Sequence, residues 1–440
     1  MLKPITPTSK AVTFISSDKR LDGGFEWAKQ QAYRYVRVGD LVGDWYEAAL
    51  PGRRAFCMRD TTHQSTGAAA LGLSAITKNM LRKFAQSIAE SRDFCSFWEI
   101  DRQYRPAPVD YTSDEDFWYN LPANFDVLDA CLRQFLWTGD EEYLRSEDFT
   151  RFYDLTVTRY VERWDTNGDG ILERAADGSR RGIASYDETE ALRGAEVMSD
   201  MVAIQAQGYE AYATLCHLRG LQEQAARFRE KARLLRKIFA ENWWDRENAR
   251  FYKARFANGR MAHGDLASSH LALYFGGITE LDQLKSELDL VAGTTDINVE
   301  ALTYFPGIFY RYNQPERAFH FLSRLIEPRL KRRTYPEVSF CVVGDCVQGL
   351  MGVHPYLTGY PKEARSIETR PGLPDSISFA RIESLPIFDG AISVEHTGKT
   401  SSLTNNTTTE VEWKAYMVSS LPHEPLSSTV APGETVQVEF

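Results

Sequence analysis

The feature that most limits how this chain of 440 residues can fold is a rhythm in its connections. From about residue 25 to about residue 358, apolar residues recur every three or four positions, the period of amphipathic helices. Short turn-like links alternate there with long polar ones. The short links are LGLSAIT (71–77), WTGDEEY (137–143), LRGLQEQ (218–224), FGGITEL (275–281) and YNQPERA (312–318). In each, Gly or Asn-Gln-Pro ends one helix and an acidic or Thr residue begins the next. The long links span roughly 44–63, 97–120, 164–196, 244–264, 290–298 and 330–344. Because every helix reverses the chain, this alternation over twelve helical segments collects all the long links at one end. The expected fold is mainly α: an (α/α)6 toroid, or six-hairpin barrel, with six inner helices wrapped by six outer ones.

Composition along the segments agrees with that division. Those starting near Ser65, Leu121, Val197, Leu266, Val299 and Cys346 are small or apolar and read as inner. KNMLRKFAQSIAES, EQAARFREKARLLRKIF and PERAFHFLSRLIEPRLKR carry a charged face and read as outer. An extended arm with one strand, KAVTFIS, is expected over residues 1–23, ending at Gly23-Gly24. The barrel then fills 24–358. Short alternating runs split by Gly, Pro, Asn and Ser predict a small β-sandwich-like domain over 359–440.

Charge and cysteine usage remove several classes of function. A formal charge of −10 and a pI near 5.5 exclude nucleic acid or an anionic membrane as the main partner. Six cysteines without CxxC spacing argue against a zinc site or a disulfide framework, and no metal or cofactor is expected. No apolar run is long enough to span a membrane, and no signal segment precedes the fold, so the chain as given reads as cytoplasmic. A secreted form with its signal removed fits equally. Aromatic residues make up 12% of the chain, and Trp and Tyr suit the faces and hydroxyls of sugar rings, so a carbohydrate partner is expected.

Loops on a rigid scaffold carry function, so the long links hold the candidates. FCMRDTTHQ, between an outer helix over Phe25–Val42 and an inner helix from Ser65, offers Arg59, Asp60 and His63. The second link, SFWEIDRQYRPAPVDYTSDEDFWYN, mixes acids and aromatics as a saccharide subsite does, with Trp98, Glu99, Asp101 and Trp118. In the third, Asp165, Asn167, Asp169 and Gly170 start like a calcium loop, but Ala176 stands where the bidentate acid belongs, which leaves a tight Asx turn. The same link ends in SYDETE, with Tyr186, Asp187 and Glu188. The sixth holds Glu337 among apolar neighbours, where a carboxyl has a raised pKa or a water to activate. Glycoside cleavage needs two carboxyl groups flanking the scissile bond. Asp60, Asp187 or Glu188, and Glu337 are brought to one rim by the toroid.

CMRDTTHQSTG, the acidic-aromatic link running into DEDFWYNLPANFDVLDACLRQFLWTGD, and YPEVSF together resemble the catalytic barrel of the α-L-rhamnosidase-type six-hairpin glycosidases. The resemblance implies that Asp60 after Arg59 donates the proton and that Glu337 is the base. It departs in Thr61, Thr62 and His63, which stand where the family continues with a second acid and Gly-Trp-x-Gly-Asp. SYDETE is similar to the acid-bearing loop of β-glucosidase relatives, which makes Asp187 a rival donor. The expected activity is hydrolysis of a terminal glycosidic bond, inverting, with Asp60, Asp187 and Glu337 catalytic. Arg59, His63, Trp98, Glu99, Asp101, Trp118, Tyr186 and Glu188 would bind the sugar. A lyase or epimerase using His63 and Tyr186, and a non-catalytic sugar-binding toroid, are the alternatives.

Overall fold

The computed structural model describes residues 11–174, 182–187, 192, 194–264, 269–356, 365–417 and 424–440. An α-rich part is followed by a sheet-rich part. In chain order the main helices are α1 (Lys19–Tyr35), α2 (Met58–Ala70), α3 (Ser74–Ser87), α4 (Ala123–Thr138), α5 (Glu147–Leu155) and α6 (Ser199–Leu218). They continue with α7 (Gln222–Asn242), α8 (His270–Tyr274), α9 (Leu281–Ala292), α10 (Phe305–Arg311), α11 (Pro315–Leu325) and α12 (Pro336–Gly344). A π-helical segment, Asp345–Leu350, prolongs α12.

Even-numbered helices touch in succession: α2 with α4, α4 with α6, α6 with α8, α8 with α10, and α10 with the π-helical segment. Then α12 returns to α2. Of the odd-numbered helices, α1 packs on α12, α3 on α2 and α4, α5 on α3, α7 on α6, α9 on α8 and α11 on α10. Burial follows the same split. In α7 only Ala225, Phe228, Ala232, Leu235 and Phe239 are buried, a single stripe at alternating steps of three and four, whereas α6 is buried nearly all round. Among the described residues, no helix is long and apolar enough to cross a membrane.

Several expected boundaries move. Helix α2 starts at Met58 rather than near Ser65, so Arg59, Asp60, His63 and Gln64 are helical and not in a connection. Their polarity is compatible with a central helix because partners wait inside. Cys57 Sγ accepts from the Asp60 N–H at 3.5 Å, and Thr62 Oγ1 donates to Asp126 Oδ2 at 2.6 Å. Likewise α12 starts at Pro336, not Cys346, because proline suits a first helical turn whose N–H needs no partner. Helix α1 begins at Lys19, capped by the Asp18 carboxylate, and ends at Tyr35. It runs through Gly23-Gly24, where the sequence suggested a break.

Gly24 is there for contact: a Cβ on it would stand 2.7 Å from Ile326 side-chain atoms, whereas one on exposed Gly23 meets nothing within 4 Å. Gly23→Ala is therefore expected to stabilise the chain by about 0.5–1 kcal/mol, since alanine loses less entropy in a helix. Gly24→Ala is expected to destabilise it by a similar or larger amount. Urea unfolding midpoints of the two variants should move in opposite directions.

The sheet-rich part also recruits the start of the chain. Its strands are β1 (Thr13–Ser16) and, after the short helix-side strands β2 (Ala55–Cys57) and β3 (Glu99–Asp101), β4 (Val353–Tyr356), β5 (Arg365–Thr369) and β6 (Phe379–Ile387). Then follow β7 (Gly390–Thr397), β8 (Thr400–Asn405), β9 (Val411–Ala415), β10 (Leu426–Val430) and β11 (Thr435–Glu439). One sheet has the order β1-β6-β7-β8-β11 and the other β4-β5-β9-β10, with β5 and β9 parallel. Of the expected arm over 1–23, residues 13–16 are an edge strand of the C-terminal sheet and 19–23 open α1, while residues 1–10 lie outside the described residues. This part sits on the C-terminal ends of α2 and α4, where Trp137 Nε1 donates to the Pro386 carbonyl at 2.8 Å.

Candidate functional site

Four of the long links meet at the N-terminal end of α2. Met58 N–H donates to the Trp98 carbonyl at 3.0 Å, which ties in the second link. Arg59 Nη1 donates to the Tyr186 carbonyl at 3.1 Å, which ties in the third. With the Gln64 amide oriented to suit its neighbours, its oxygen accepts from the Glu337 N–H at 3.2 Å, which ties in the sixth. Arg59 Nε lies 3.3 Å from Asp60 Oδ1.

Asp60 and Glu337 are both buried, at 8% and 5% exposure. They sit in the first turns of α2 and α12, and they feel each other. Burial, and then the charge of Asp60, push the Glu337 carboxyl well above the usual carboxylate range, with Arg59 opposing and Glu300 adding. For Arg59, burial pulls the other way, but the charges of Asp60, Tyr304 and Glu337 among others hold the guanidinium firmly protonated. The result is two buried carboxyl groups within electrostatic reach of each other and of one guanidinium, which favours a proton on Glu337.

His63, one turn further along α2, is stacked on Tyr304 with ring centroids 3.8 Å apart. Its Nδ1 is 3.2 Å from the Tyr274 hydroxyl, and its Nε2 is 3.0 Å from both the Thr303 hydroxyl and Cys341 Sγ. Burial, then the cationic neighbours Arg133 and Arg59, push its pKa down to about 3, so the ring is neutral at working pH. Tyr186, the partner that proton-abstraction chemistry would require, donates its hydroxyl to Asp126 at 3.0 Å instead.

The other candidates are spread more widely. Trp98 is buried edge-on to Tyr119 and tilted against Tyr186. Asp187 lies 3.3 Å from the Nζ of buried Lys253, on the fourth link, while its N–H donates to Ser185 Oγ. Glu188 lies outside the described residues. Trp118 is half-buried on the second link. Asp101 closes a turn, accepting from the N–H groups of Gln103 and Arg105. The Asp165 carboxylate likewise accepts from Gly168 and Gly170 in an Asx turn. Among the described residues, no group of His, Cys, Asp or Glu is arranged to hold a metal.

Glu99 belongs to a separate ionic knot, with Arg53 Nη1 2.7 Å from it and 3.5 Å from Asp110. Burial raises its pKa from 4.5 to about 7, with Asp110 adding and Arg53 opposing. The folded chain then binds this proton more tightly than the unfolded chain. The stability it gives is complete below about pH 4.5 and is lost as pH rises through 7. Wild type should lose on the order of 2 kcal/mol between pH 4.5 and pH 8 from this group, and Glu99→Gln should abolish that loss. Chemical denaturation at the two pH values measures it.

Among the even-numbered helices lies a cavity of about 980 Å³. Helices α2, α4, α6, α8, α10 and α12 all contribute to its wall, and so do strand residues His354 and Glu368 and, just past the strand, Arg370. Its upper end is His63 and Asp126; Asp60, Asp187 and Glu337 are not in its lining. It runs instead toward the helix ends that bear the sheets. Sequence reasoning missed its polar wall, chiefly Asp126, Asp129 and Arg133 on α4. The one available signal was their spacing of three and four within the otherwise apolar ANFDVLDACLRQFLWT.

No protein-family model matches the chain, and no curated protein sequence matches it. Solved structures do. A rhamnosidase of Bacillus sp. GL1 superposes with a TM-score of 0.68 at 14% identity, over 93% of this chain and 43% of its own. An α-L-rhamnosidase from Aspergillus terreus gives 0.62 at 13% identity, over 99% of this chain and 50% of its own. A human-microbiome protein assigned as a kojibiose phosphorylase gives 0.63 at 9% identity, over 98% of this chain and 67% of its own. The chain spans about half the length of the rhamnosidase structures it matches. Its fold is that of the six-hairpin glycosidases.

Proposed function

We propose that the chain is a glycoside hydrolase that releases a terminal sugar by two-carboxylate acid/base catalysis, with Asp60 and Glu337 as the pair and inversion as the outcome. The inner and outer helices are read as a six-hairpin toroid whose long links form the substrate end. One observation carries the proposal: two buried carboxyl groups, on α2 and α12, lie within electrostatic reach of each other and of Arg59, which is ion-paired to Asp60, and burial beside Asp60 raises Glu337. Burial beside Asp60 favours the protonated form of Glu337, the kind of asymmetry that a general acid and a general base require. Trp98 and Tyr186, tilted against each other beside Arg59, are the aromatic rings this reading assigns to the sugar. Asp187 is the rival donor, with Lys253 beside it. A rhamnosidase-like specificity is suggested by two of the structural neighbours, and the phosphorylase among them names the competing chemistry.

The test is a panel of aryl glycosides, beginning with the α-L-rhamnoside and the β-glucoside, assayed with and without inorganic phosphate. Sugar release that needs no phosphate, with the product of opposite anomeric configuration by NMR, is expected. Release only with phosphate would assign a phosphorylase. Release from none of the panel would remove the catalytic reading and leave a binding protein. The lyase or epimerase reading is disfavoured because His63 contacts Tyr274, Thr303 and Cys341, while Tyr186 is turned to Asp126.

A further inference from the structure

The stretch of the third link that carries Tyr186 is held by a carboxylate outside the pair. Asp200, the second residue of α6, is fully buried. Its Oδ1 accepts from the Ser185 hydroxyl and its Oδ2 from the Tyr186 N–H, both at 2.7 Å. Ser185 is pinned in turn: its Oγ accepts from the Asp187 N–H at 2.8 Å, and its carbonyl accepts from Asn120 Nδ2 at 2.7 Å. A single residue then separates Asp200 from the cation of the site. Tyr186 gives its N–H to Asp200, while its carbonyl accepts from Arg59 Nη1 at 3.1 Å. Arg59 Nε in turn lies 3.3 Å from Asp60 Oδ1. The fourth link closes the arrangement: the fully buried side chain of Lys253 puts Nζ 3.3 Å from Asp187, and its carbonyl accepts from the Ser199 N–H at 2.9 Å. Burial raises the Asp200 pKa, and the charge of Lys253 with the two hydrogen bonds opposes that rise. An acid at a helix start ordinarily serves the unpaired N–H groups of its own first turn, but Asp200 turns both oxygens to the link. A buried carboxylate is costly in a helix that is otherwise buried nearly all round, and what it secures here is the backbone on which Arg59 rests.

We propose that Asp200 is a positioning residue: it fixes the Tyr186 carbonyl that holds Arg59, and through Arg59 it sets the placement of the guanidinium beside Asp60. The effect on rate rests on the hydrolase reading; the hold on Arg59 does not. Loops ordinarily open more readily than the helices they join, and a shift of about 1 Å at a reacting group is enough to slow catalysis strongly. With both oxygens of Asp200 engaged, the third link keeps Arg59 in place although the residue and its anchor lie far apart in the chain.

Proton exchange at the Arg59 Nε–H, followed by NMR on the full chain with nitrogen-labelled arginine, tests the hold directly. The resonance is assigned by its loss in Arg59→Lys, and that of Arg133, ion-paired to Asp129 on α4, serves as the reference. Asp200→Ala should speed exchange at Arg59 by about tenfold or more and leave Arg133 within about twofold. Asp200→Asn should restore wild-type exchange, because its amide oxygen accepts from the Tyr186 N–H and its amide N–H donates to Ser185 Oγ. Where Asp200→Ala does not fold, Ser185→Ala, which removes one of the two bonds, should speed exchange by about threefold or more. On the aryl glycoside that wild type cleaves, Asp200→Ala should lower kcat by about tenfold or more with KM within about threefold, and Asp200→Asn should recover the rate. In an Arg59→Met background Asp200→Ala should cost no further rate, which a general loosening of the fold would not spare. Arg59 exchange unchanged in the folded variants, or Arg133 accelerated as much as Arg59, overturns the proposal. Accelerated exchange with an unchanged kcat overturns the role in the reaction. If wild type cleaves no glycoside, the hydrolase reading fails, while the exchange rates still decide whether Asp200 holds Arg59.

Discussion

Glu337→Gln should cut sugar release by about 10²- to 10⁴-fold while making the folded chain more stable, a pairing of effects that few substitutions give. The rate falls because amide can neither give nor take the proton. The stability rises because ionised Glu337 is costly in place, buried and beside Asp60. Its folded pKa lies above the ordinary 4.5, so the folded chain holds the proton more tightly than the unfolded chain does. That contribution is complete below about pH 4.5 and drains away as pH rises through the folded value. Gln cannot ionise, so the variant should melt above wild type at pH 8 and show a smaller difference at pH 4. Asp60→Asn should cost a comparable factor in rate.

The same pair of variants separates donor from base. A proton donor is dispensable when the leaving group is a weak base, so the donor variant should recover most of its activity on a dinitrophenyl glycoside and the base variant should not. The family resemblance makes Asp60 the donor, whereas burial beside Asp60 favours the protonated form of Glu337. If neither variant loses activity, the pair is not catalytic. If Asp187→Asn loses activity instead, the third link carries the donor.

The second large effect is expected from Gly67→Ala. A Cβ at Gly67 would stand 1.9 Å from the Phe340 carbonyl oxygen and 2.7 Å from its carbon, so α2 and α12 meet there backbone to backbone. Neither chain can turn aside as a side chain would. Overpacking of this kind costs about 1–3 kcal/mol in ordinary cores, and a backbone collision belongs at the top of that range or above it. Because Asp60 rides on α2 and Glu337 on α12, parting the helices by about 1 Å should also lower the rate by about 10²-fold. Thermal melting and kcat together measure both. A variant with wild-type melting and wild-type kcat would mean that the two helices are not in contact.

The helical rhythm was legible in the sequence because chain reversal is local: a Gly or Pro between two periodic runs is enough to place each turn. The edges of α2 and α12 were not, for a physical reason. Asp60, Thr62, His63 and Gln64 read as surface, and their burial depends on partners such as Asp126 and Thr303 that are distant in sequence. Pro336 reads as a loop residue in the sequence, although a first helical turn accepts it. Of the candidate residues, Arg59, Asp60, Tyr186 and Glu337 come together with Trp98 behind them. Glu99 and Asp101 read as subsite residues because acids and aromatics mix in their link, and the structure ties them to Arg53 and Arg105. Composition could not separate an acid aimed at a ligand from one closing a turn.

Strand β1 adds an edge to a sheet whose other strands come from the far end of the chain: Thr13 Oγ1 donates to Glu383 across a separation of 370 residues. During translation β1 must wait, unpaired, until β6, some 370 residues later, has left the ribosome. Contacts so remote in sequence close slowly. Strand β1 is therefore made long before it can dock, and its pairing with β6 ties the sheet together across that whole span.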